Sequence, residues 1–170
     1  MQKIRLSVHL IEITNEWVGR IFCHLLLAIM VIMTMEVMLR YVFNRPTIWA
    51  WDVNVQLGAA LALLAGGYTL LHHGHVRVDV LYTRFSPKVK VITDLVTSVF
   101  LFIFCGALLW YGGKLAWASV MVREYNFTSP FAYPVYPLKV LLVVAVFLLF
   151  LQGGAKFIRD LTIAITGKEI

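Results

Sequence analysis

Residues 17–41 read WVGRIFCHLLLAIMVIMTMEVMLRY, and this stretch decides the fold class of the chain. A helix needs about 20 mostly apolar residues to cross the hydrocarbon core of a bilayer, and this stretch meets that length with few charges. Three more stretches do so, at residues 53–71, 91–110 and 138–158. Because backbone polar groups in lipid must be satisfied internally, each stretch is predicted to be helical. The prediction is an all-α integral membrane protein with four transmembrane helices in a single domain, residues 1–170.

The composition of the chain points to the same class. Of its 170 residues, 61% are apolar and 14% are charged, whereas a soluble domain carries about 25% charged residues. A water-soluble core of this size could not bury so much apolar surface. A disordered chain would need low hydrophobicity, and a disulfide-stapled module would need more than the two cysteines present. These classes, and that of a soluble enzyme, are therefore excluded.

The distribution of positive charge predicts the orientation in the membrane, since the side richer in Lys and Arg stays in the cytoplasm. With four spans, ten of the 15 basic residues fall on the side of the two termini: Lys3, Arg5, Arg20, Arg77, Arg84, Lys88, Lys90, Lys156, Arg159 and Lys168. The other five are Arg40, Arg45, Lys114, Arg123 and Lys139. Both termini are therefore predicted to be cytoplasmic.

Two segments look interfacial rather than spanning. Ile4, Val8 and Ile11 recur at helical spacing among charged residues, which predicts a short helix on the inner membrane surface or a plain solvated turn. Residues 125–137 (YNFTSPFAYPVYP) combine aromatic residues with three prolines, so they are predicted to be non-helical. This second segment would pack at the outer headgroup level or form a docking surface for a partner.

Glu36 and Arg40 are the ionisable residues that stand out in the first span. They lie four residues apart and therefore share a helix face. Three interpretations are open: a local ion pair that makes a costly glutamate tolerable, proton or ion handling, and a polar contact with a partner subunit.

Histidines provide the residues with potential for metal chemistry. His72, His73, His75 and Asp79 cluster after the second span, but their spacing matches no zinc pattern of two separated ligand pairs. His24 with His72 or His73 at similar depth is an arrangement that a bis-histidine haem would need, although helix-end histidines more often reach the interface. Cys23 and Cys105 are interpreted as small apolar core residues. No nucleophile arrangement, phosphate loop or carboxylate metal set is recognisable, so no catalytic residue and no metal site are predicted.

Small residues form a stripe along the second span. Gly58, Ala62 and Gly66 recur every four residues, which lets another helix approach closely. The neighbouring helix could belong to this chain or to a second protein.

Three segments give the chain a family resemblance. The run Glu36–Pro46 (EVMLRYVFNRP), followed by Trp49 and Asp52, resembles the first-loop signature of the small, DctQ-like membrane subunit of tripartite ATP-independent periplasmic (TRAP) transporters. Residues 75–79 (HVRVD) are similar to the family's segment after span two, and residues 129–137 resemble its proline-rich lead-in to the last span. Asp52 departs from the pattern, because many relatives carry a glutamate near this position. The resemblance covers essentially the whole chain.

The resemblance implies a non-catalytic subunit of a sodium-coupled secondary transporter for an organic anion, of the sialic acid or C4-dicarboxylate type. A periplasmic binding protein would deliver the anion, and a large multi-span subunit would hold the substrate and sodium sites, so no cofactor is expected on this chain. The small subunit would extend the scaffold of the large subunit in the inner membrane and help dock the binding protein. The chain itself lacks the broken helices and inverted repeats from which transport sites are built.

The residues expected at partner interfaces follow from this implication. On the outer side they are Glu36, Arg40, Arg45, Trp49 and Asp52; within the membrane they are Gly58, Ala62 and Gly66; at the inner loop they are His75, Arg77 and Asp79. Two alternatives remain open: a haem-bearing membrane anchor of a redox complex, and a stand-alone four-helix protein with a regulatory or lipid-surface role.

Overall fold

A computed structural model describes residues 2–72 and 87–166 of the chain. Within these residues the chain forms long helices and one short antiparallel hairpin. The elements are α1 (Gln2–Phe22), α2 (Leu25–Tyr41), α3 (Ala50–Leu71), α4 (Pro87–Met121), β1 (Tyr125–Asn126), β2 (Tyr133–Pro134) and α5 (Tyr136–Thr166).

Four apolar segments of the described chain are long enough to cross a membrane, as predicted. They are Val8–Tyr41, Ala50–Leu71, Ile92–Met121 and Tyr136–Thr162. The last two are longer than the sequence indicated, because the apolar part of α4 continues to Met121 and that of α5 extends from Tyr136 to Thr162. The all-α membrane fold is thus confirmed.

The first span is not one regular helix. The Cys23 N–H keeps its bond to the Gly19 carbonyl at 3.0 Å, but the i to i−4 pattern lapses at His24, whose N–H turns to the Ile21 carbonyl at 3.3 Å instead of the Arg20 carbonyl. The freed Arg20 carbonyl is bonded by the Cys23 thiol at 2.9 Å and by His24 Nδ1 at 3.0 Å. Side chains therefore satisfy the backbone at the break between α1 and α2.

The helices pack around α3 and α5. Helix α4 lies along α5, α3 packs on α5, α2 packs on α3, and α1 contacts both α3 and α5. Most buried apolar side chains are small, and they include Cys105, Ala116, Ala145 and Ala155. Large apolar side chains cover the outside instead, as expected where lipid rather than water surrounds the bundle.

The N-terminal segment is longer and more firmly packed than the short interfacial helix that was predicted. Helix α1 runs without interruption from Gln2 to Phe22, and its C-terminal half belongs to the bundle. Its polar residue Asn15 is 1% exposed, whereas Leu10 and Trp17 on the opposite face are exposed. Helix α1 therefore presents polar groups to the other helices and apolar groups to its surroundings.

The bundle has two chemically distinct ends. We call the end with the α2–α3 loop and the β1–β2 hairpin the loop end, and the end with α1 and the last turns of α5 the terminal end. The hairpin pairs Tyr125 with Pro134 and Asn126 with Tyr133. Residues 125–135 are thus non-helical, as predicted, whereas Tyr136 and Pro137 at the end of the predicted segment form the first turn of α5. Proline is tolerated there because the N–H groups of the first turn have no partner within the helix.

Candidate functional site: the two polar ends of the bundle

Glu36 joins the last turns of α2 to the loop that follows. Its buried carboxylate accepts hydrogen bonds through Oε1 from Arg40 Nη2 at 2.8 Å and Nε at 3.2 Å. Through Oε2 it accepts from the Thr47 hydroxyl at 2.5 Å and from the Thr47 N–H at 3.2 Å. Both oxygens are therefore occupied within the chain, in the geometry of a local ion pair that closes the α2–α3 loop.

The α2–α3 loop places Arg45 on the surface. Asn44 has a positive φ of 52°, a conformation that asparagine tolerates better than most residues. This turn brings the Arg45 N–H to the Leu39 carbonyl at 2.8 Å and leaves the Arg45 side chain exposed. Trp49 is half-buried immediately before α3.

Asp52 connects the two loops of the loop end. It lies in the first turn of α3, where a negative charge interacts favourably with the helix dipole. Its Oδ2 accepts a hydrogen bond from the Ser129 hydroxyl in the hairpin. The predicted partner-contact residue is thus engaged inside the chain, and it holds the α2–α3 loop against the hairpin.

The hairpin is closed by several polar contacts. Asn126 Nδ2 donates to the Tyr133 hydroxyl at 2.9 Å, and Asn126 Oδ1 accepts from the Thr128 N–H at 2.9 Å. The rings of Tyr125 and Phe127 stack with centroids 6.1 Å apart. Phe127 remains 79% exposed, so a rigid hairpin presents an uncovered aromatic side chain.

A Schellman motif ends α4, with an arginine at its left-handed position. The Glu124 N–H bonds to the Ser119 carbonyl at 3.0 Å and the Arg123 N–H to the Val120 carbonyl at 3.1 Å. Arg123 has φ 47°, where glycine is favoured and an L side chain costs about 1–2 kcal/mol. Its guanidinium is exposed and forms no ion pair with the described residues.

Glu124 forms the ion pair that fastens the hairpin to α5. The Lys139 ammonium lies 2.5 Å from its Oε2, and the Val135 N–H bonds to the Glu124 carbonyl at 3.0 Å. The hydrogen bond from Lys139 holds the pKa of the Glu124 carboxyl below its usual value. The carboxylate is therefore charged at neutral pH.

The small-residue stripe on α3 faces mostly outward. A Cβ added at Gly58 would meet nothing within 4 Å, and Ala62 is exposed. A Cβ added at Gly66 would just touch Leu149 of α5, at 4.0 Å. Trp51 and Val55 flank the open part of the stripe and are exposed as well. Among the described residues, the stripe therefore meets another helix at its Gly66 end.

A buried polar contact at the terminal end was not predicted. Asn15 Nδ2 on α1 donates to Gln152 Oε1 on α5 at 3.0 Å and to the Ile11 carbonyl at 3.1 Å. Gly67 on α3 makes room for this carboxamide, since a Cβ there would lie 2.1 Å from Asn15 Oδ1. The sequence signal for this contact was Gln152, an amide side chain inside the apolar stretch 138–158. In a membrane helix such a residue indicates a hydrogen bond to another helix.

Charged pairs surround that contact at the terminal end. Glu12 of α1 accepts from Arg159 of α5. Lys156 lies 3.7 Å from Asp94 of α4 and 3.8 Å from Asp160. These pairs join α1, α4 and α5, so the end of the bundle is held by ionic contacts that the sequence alone did not reveal.

The histidines proposed as a haem pair bind other groups. His72 Nε2 lies 2.6 Å from Glu16 Oε2, and Glu16 Oε1 pairs with Arg20 at 2.7 Å. His24 bonds to the Arg20 carbonyl at the break after α1. Cys23 is exposed rather than a core residue, which corrects its interpretation, whereas Cys105 is buried as predicted. Among residues 2–72 and 87–166, no three His, Cys, Asp or Glu side chains form a group that could hold a metal ion.

A groove of about 460 Å³ runs between α1 and the end of α3, beside Trp17 and Leu71. Its carboxylates, Glu12 and Glu16, already pair with basic groups. The remaining predicted inner-loop residues, His73, His75, Arg77 and Asp79, lie outside the described residues.

Comparison with known proteins agrees with the architecture. Residues 29–163 match the family model described as "Tripartite ATP-independent periplasmic transporters, DctQ component". A search of curated proteins gave no match. The match includes most of α2 and all of α3 and α4, and it ends near the end of α5, whereas α1 precedes it. The family is a transporter component rather than an enzyme. The chain therefore belongs to the DctQ family, the small membrane component of the TRAP transporters.

Proposed function

We propose that this chain is the non-catalytic small subunit of a sodium-coupled, binding-protein-dependent transporter for an organic anion. The observation that carries the proposal is the family match over residues 29–163, which includes the last three spans and the end of the first. The excess of Lys and Arg near the termini supports an inner-membrane orientation with the terminal end in the cytoplasm and the loop end in the periplasm. Sialic acid and C4-dicarboxylates are the substrate types to test, and sodium would bind on the large subunit.

The large membrane subunit would pack against the stripe on α3. The open space at Gly58 and the exposed Ala62 support this role, because small residues on an outward helix face allow close approach of another helix. A lipid-facing helix has no need of such a groove. This contact would enlarge the fixed scaffold against which the large subunit moves.

The periplasmic binding protein would dock at the loop end. Arg45 is free to meet it, whereas Trp49 and Asp52 would act by positioning the loop and the hairpin. Glu36 and Arg40 would support the α2–α3 loop through the hydrogen bond between Glu36 and Thr47. His75, Arg77 and Asp79 would order the cytoplasmic loop.

The proposal is tested by reconstituting this chain with its large subunit in proteoliposomes and adding the binding protein outside. An inward sodium gradient should drive uptake of radiolabelled sialic acid or a C4-dicarboxylate. Vesicles that lack this chain should lose that uptake. Uptake that proceeds equally without this chain, or without a sodium gradient, would contradict the proposed role or the proposed coupling, respectively.

A further inference from the structure

We infer that the β1–β2 hairpin and the α2–α3 loop form one electropositive docking platform, at which Arg45, Arg123 and Phe127 bind an acidic, partly apolar face of the soluble binding protein. The inference rests on the proposed function and assigns its docking step to particular residues. It transfers the contact role from Asp52, which is bonded inside the chain, to the hairpin that Asp52 supports.

The first argument is charge. The loop end carries five described basic residues, Arg40, Arg45, Lys114, Arg123 and Lys139, against three acidic ones, Glu36, Asp52 and Glu124. Arg40 pairs with Glu36 and Lys139 pairs with Glu124, whereas Asp52 keeps its charge because the Ser129 hydroxyl that bonds it is neutral. In contrast, Arg45 and Arg123 are exposed, and neither forms an ion pair with a described residue. The loop end therefore presents uncompensated positive charge, which complements an acidic surface and would speed its association.

The second argument is backbone strain at Arg123. The Schellman motif at the end of α4 requires a left-handed residue, and glycine would fill that position without cost. An arginine there contributes nothing to the turn that glycine would not. Because its side chain is exposed and has no partner among the described residues, the guanidinium is available to a group outside the chain.

The third argument is the place of the hairpin after a membrane-crossing segment. Trp110 and Tyr111 are exposed on α4, and Lys114 lies over the Trp110 ring at 4.6 Å, as is typical of the headgroup level. The apolar segment Ile92–Met121 ends where α4 ends, so the hairpin follows the part of the helix that can cross a membrane. The uncovered Phe127 ring lies in this hairpin, where it can meet a protein partner.

These residue types match those that dominate binding at protein interfaces. Arginine and aromatic side chains are enriched among the residues that contribute most to affinity. The hairpin also needs little ordering on binding, because the Asn126–Tyr133 and Glu124–Lys139 contacts already fix its shape.

The test measures the initial rate of sodium-driven uptake against binding-protein concentration, in proteoliposomes that contain this chain and its large subunit. Arg123→Glu should raise the half-saturating concentration of binding protein about tenfold, and Arg45→Glu and Phe127→Ala should raise it severalfold. The maximal rate at saturating binding protein should not change. Added salt should shrink the effect of the arginine changes but not that of Phe127→Ala.

Two variants separate docking from folding. Arg123→Gly should raise the thermal stability of the purified chain, since it relieves the left-handed strain, and still weaken docking severalfold. Phe104→Ala removes another exposed ring, 62% exposed against 79% for Phe127, from the middle of α4 and should leave the half-saturating concentration unchanged.

Each other outcome is decisive. Wild-type half-saturation in Arg123→Gly, Arg123→Glu and Phe127→Ala would overturn the platform while leaving the proposed function intact. The arginine variants could instead lose uptake to an extent that varies with the phosphatidylglycerol content of the vesicles, while the half-saturating concentration of binding protein stays constant. That result would show that the arginines anchor the chain to lipid, and it would also overturn the platform. If the uptake rate of the wild-type complex does not depend on the binding protein, that result contradicts the proposed function and the platform together.

Discussion

Replacing Gly67 with alanine would place a methyl group where the Asn15 carboxamide now lies. The added Cβ would be 2.1 Å from Asn15 Oδ1 and 3.1 Å from its Cγ. Carbon and oxygen atoms in ordinary contact stay about 3.4 Å apart or more, so the carboxamide must retreat by about 1.3 Å. A movement of that size is too large for the 3.0 Å hydrogen bond between Asn15 and Gln152 to survive.

The size of the effect follows from two opposing contributions. Losing the buried hydrogen bond and leaving Gln152 Oε1 unpaired costs about 1–3 kcal/mol, toward the lower end in a membrane protein. Alanine in place of glycine favours the helix by up to about 1 kcal/mol. Gly58→Ala on the same helix gains the helix propensity of alanine without losing a hydrogen bond, because the added Cβ would meet nothing within 4 Å. We expect Gly67→Ala to be about 1–2 kcal/mol less stable than Gly58→Ala.

The assay is reversible unfolding of the purified chain in mixed micelles with increasing SDS. In an Asn15→Ala background, Gly67→Ala should behave like Gly58→Ala, because only the Asn15 Cβ, at 3.9 Å, would then face the new methyl group. Equal stability of Gly67→Ala and Gly58→Ala in the otherwise wild-type chain would refute the reasoning, and with it the contact between α1, α3 and α5.

Three further changes test other parts of the account. Ala62→Leu should fill the outward groove of α3 and abolish co-purification with the large subunit, whereas Val31→Leu, on another exposed face, should not. Glu36→Gln should lower stability by about 1–3 kcal/mol and leave the pH profile of uptake unchanged, and a shifted profile would indicate proton handling instead. Lys139 lowers the pKa of Glu124 in the folded state. The pair therefore stabilises the folded chain fully at a pH above the pKa of the carboxyl group in the unfolded chain, about 4.3. This stabilisation should disappear as the pH falls through the lower folded value, and thermal melting of Glu124→Gln should lack that acid-side loss.

Hydropathy was sufficient to predict the membrane fold, because lipid leaves few alternatives to a helix for a long apolar stretch. It predicted the four spans, and the prolines at positions 130 and 134 predicted the non-helical segment between α4 and α5, whereas Pro137 lies in the first turn of α5. It did not give the break at Cys23 and His24, because no proline or glycine marks that position. The break depends on side chains that bond the Arg20 carbonyl, and propensity carries no information about such bonds.

The site residues were predicted less completely than the helices. Local spacing was enough for the Glu36–Arg40 pair, because residues four apart on a helix always lie close together. Contacts such as Asp52 with Ser129, or Asn15 with Gln152, join residues far apart in sequence and depend on how the helices pack. The bond between Asp52 and Ser129 was therefore not predicted, and the contact of Asp52 with a partner stays a prediction.

The central claim is that this chain works as one subunit of a larger membrane transporter. The most direct test is affinity purification of the chain from its native membranes in mild detergent, followed by mass spectrometry of the proteins that accompany it. We predict a multi-span transport subunit in equal amount, held through the open face of α3. Recovery of the chain alone, or with a redox enzyme and a haem Soret band, would contradict the account.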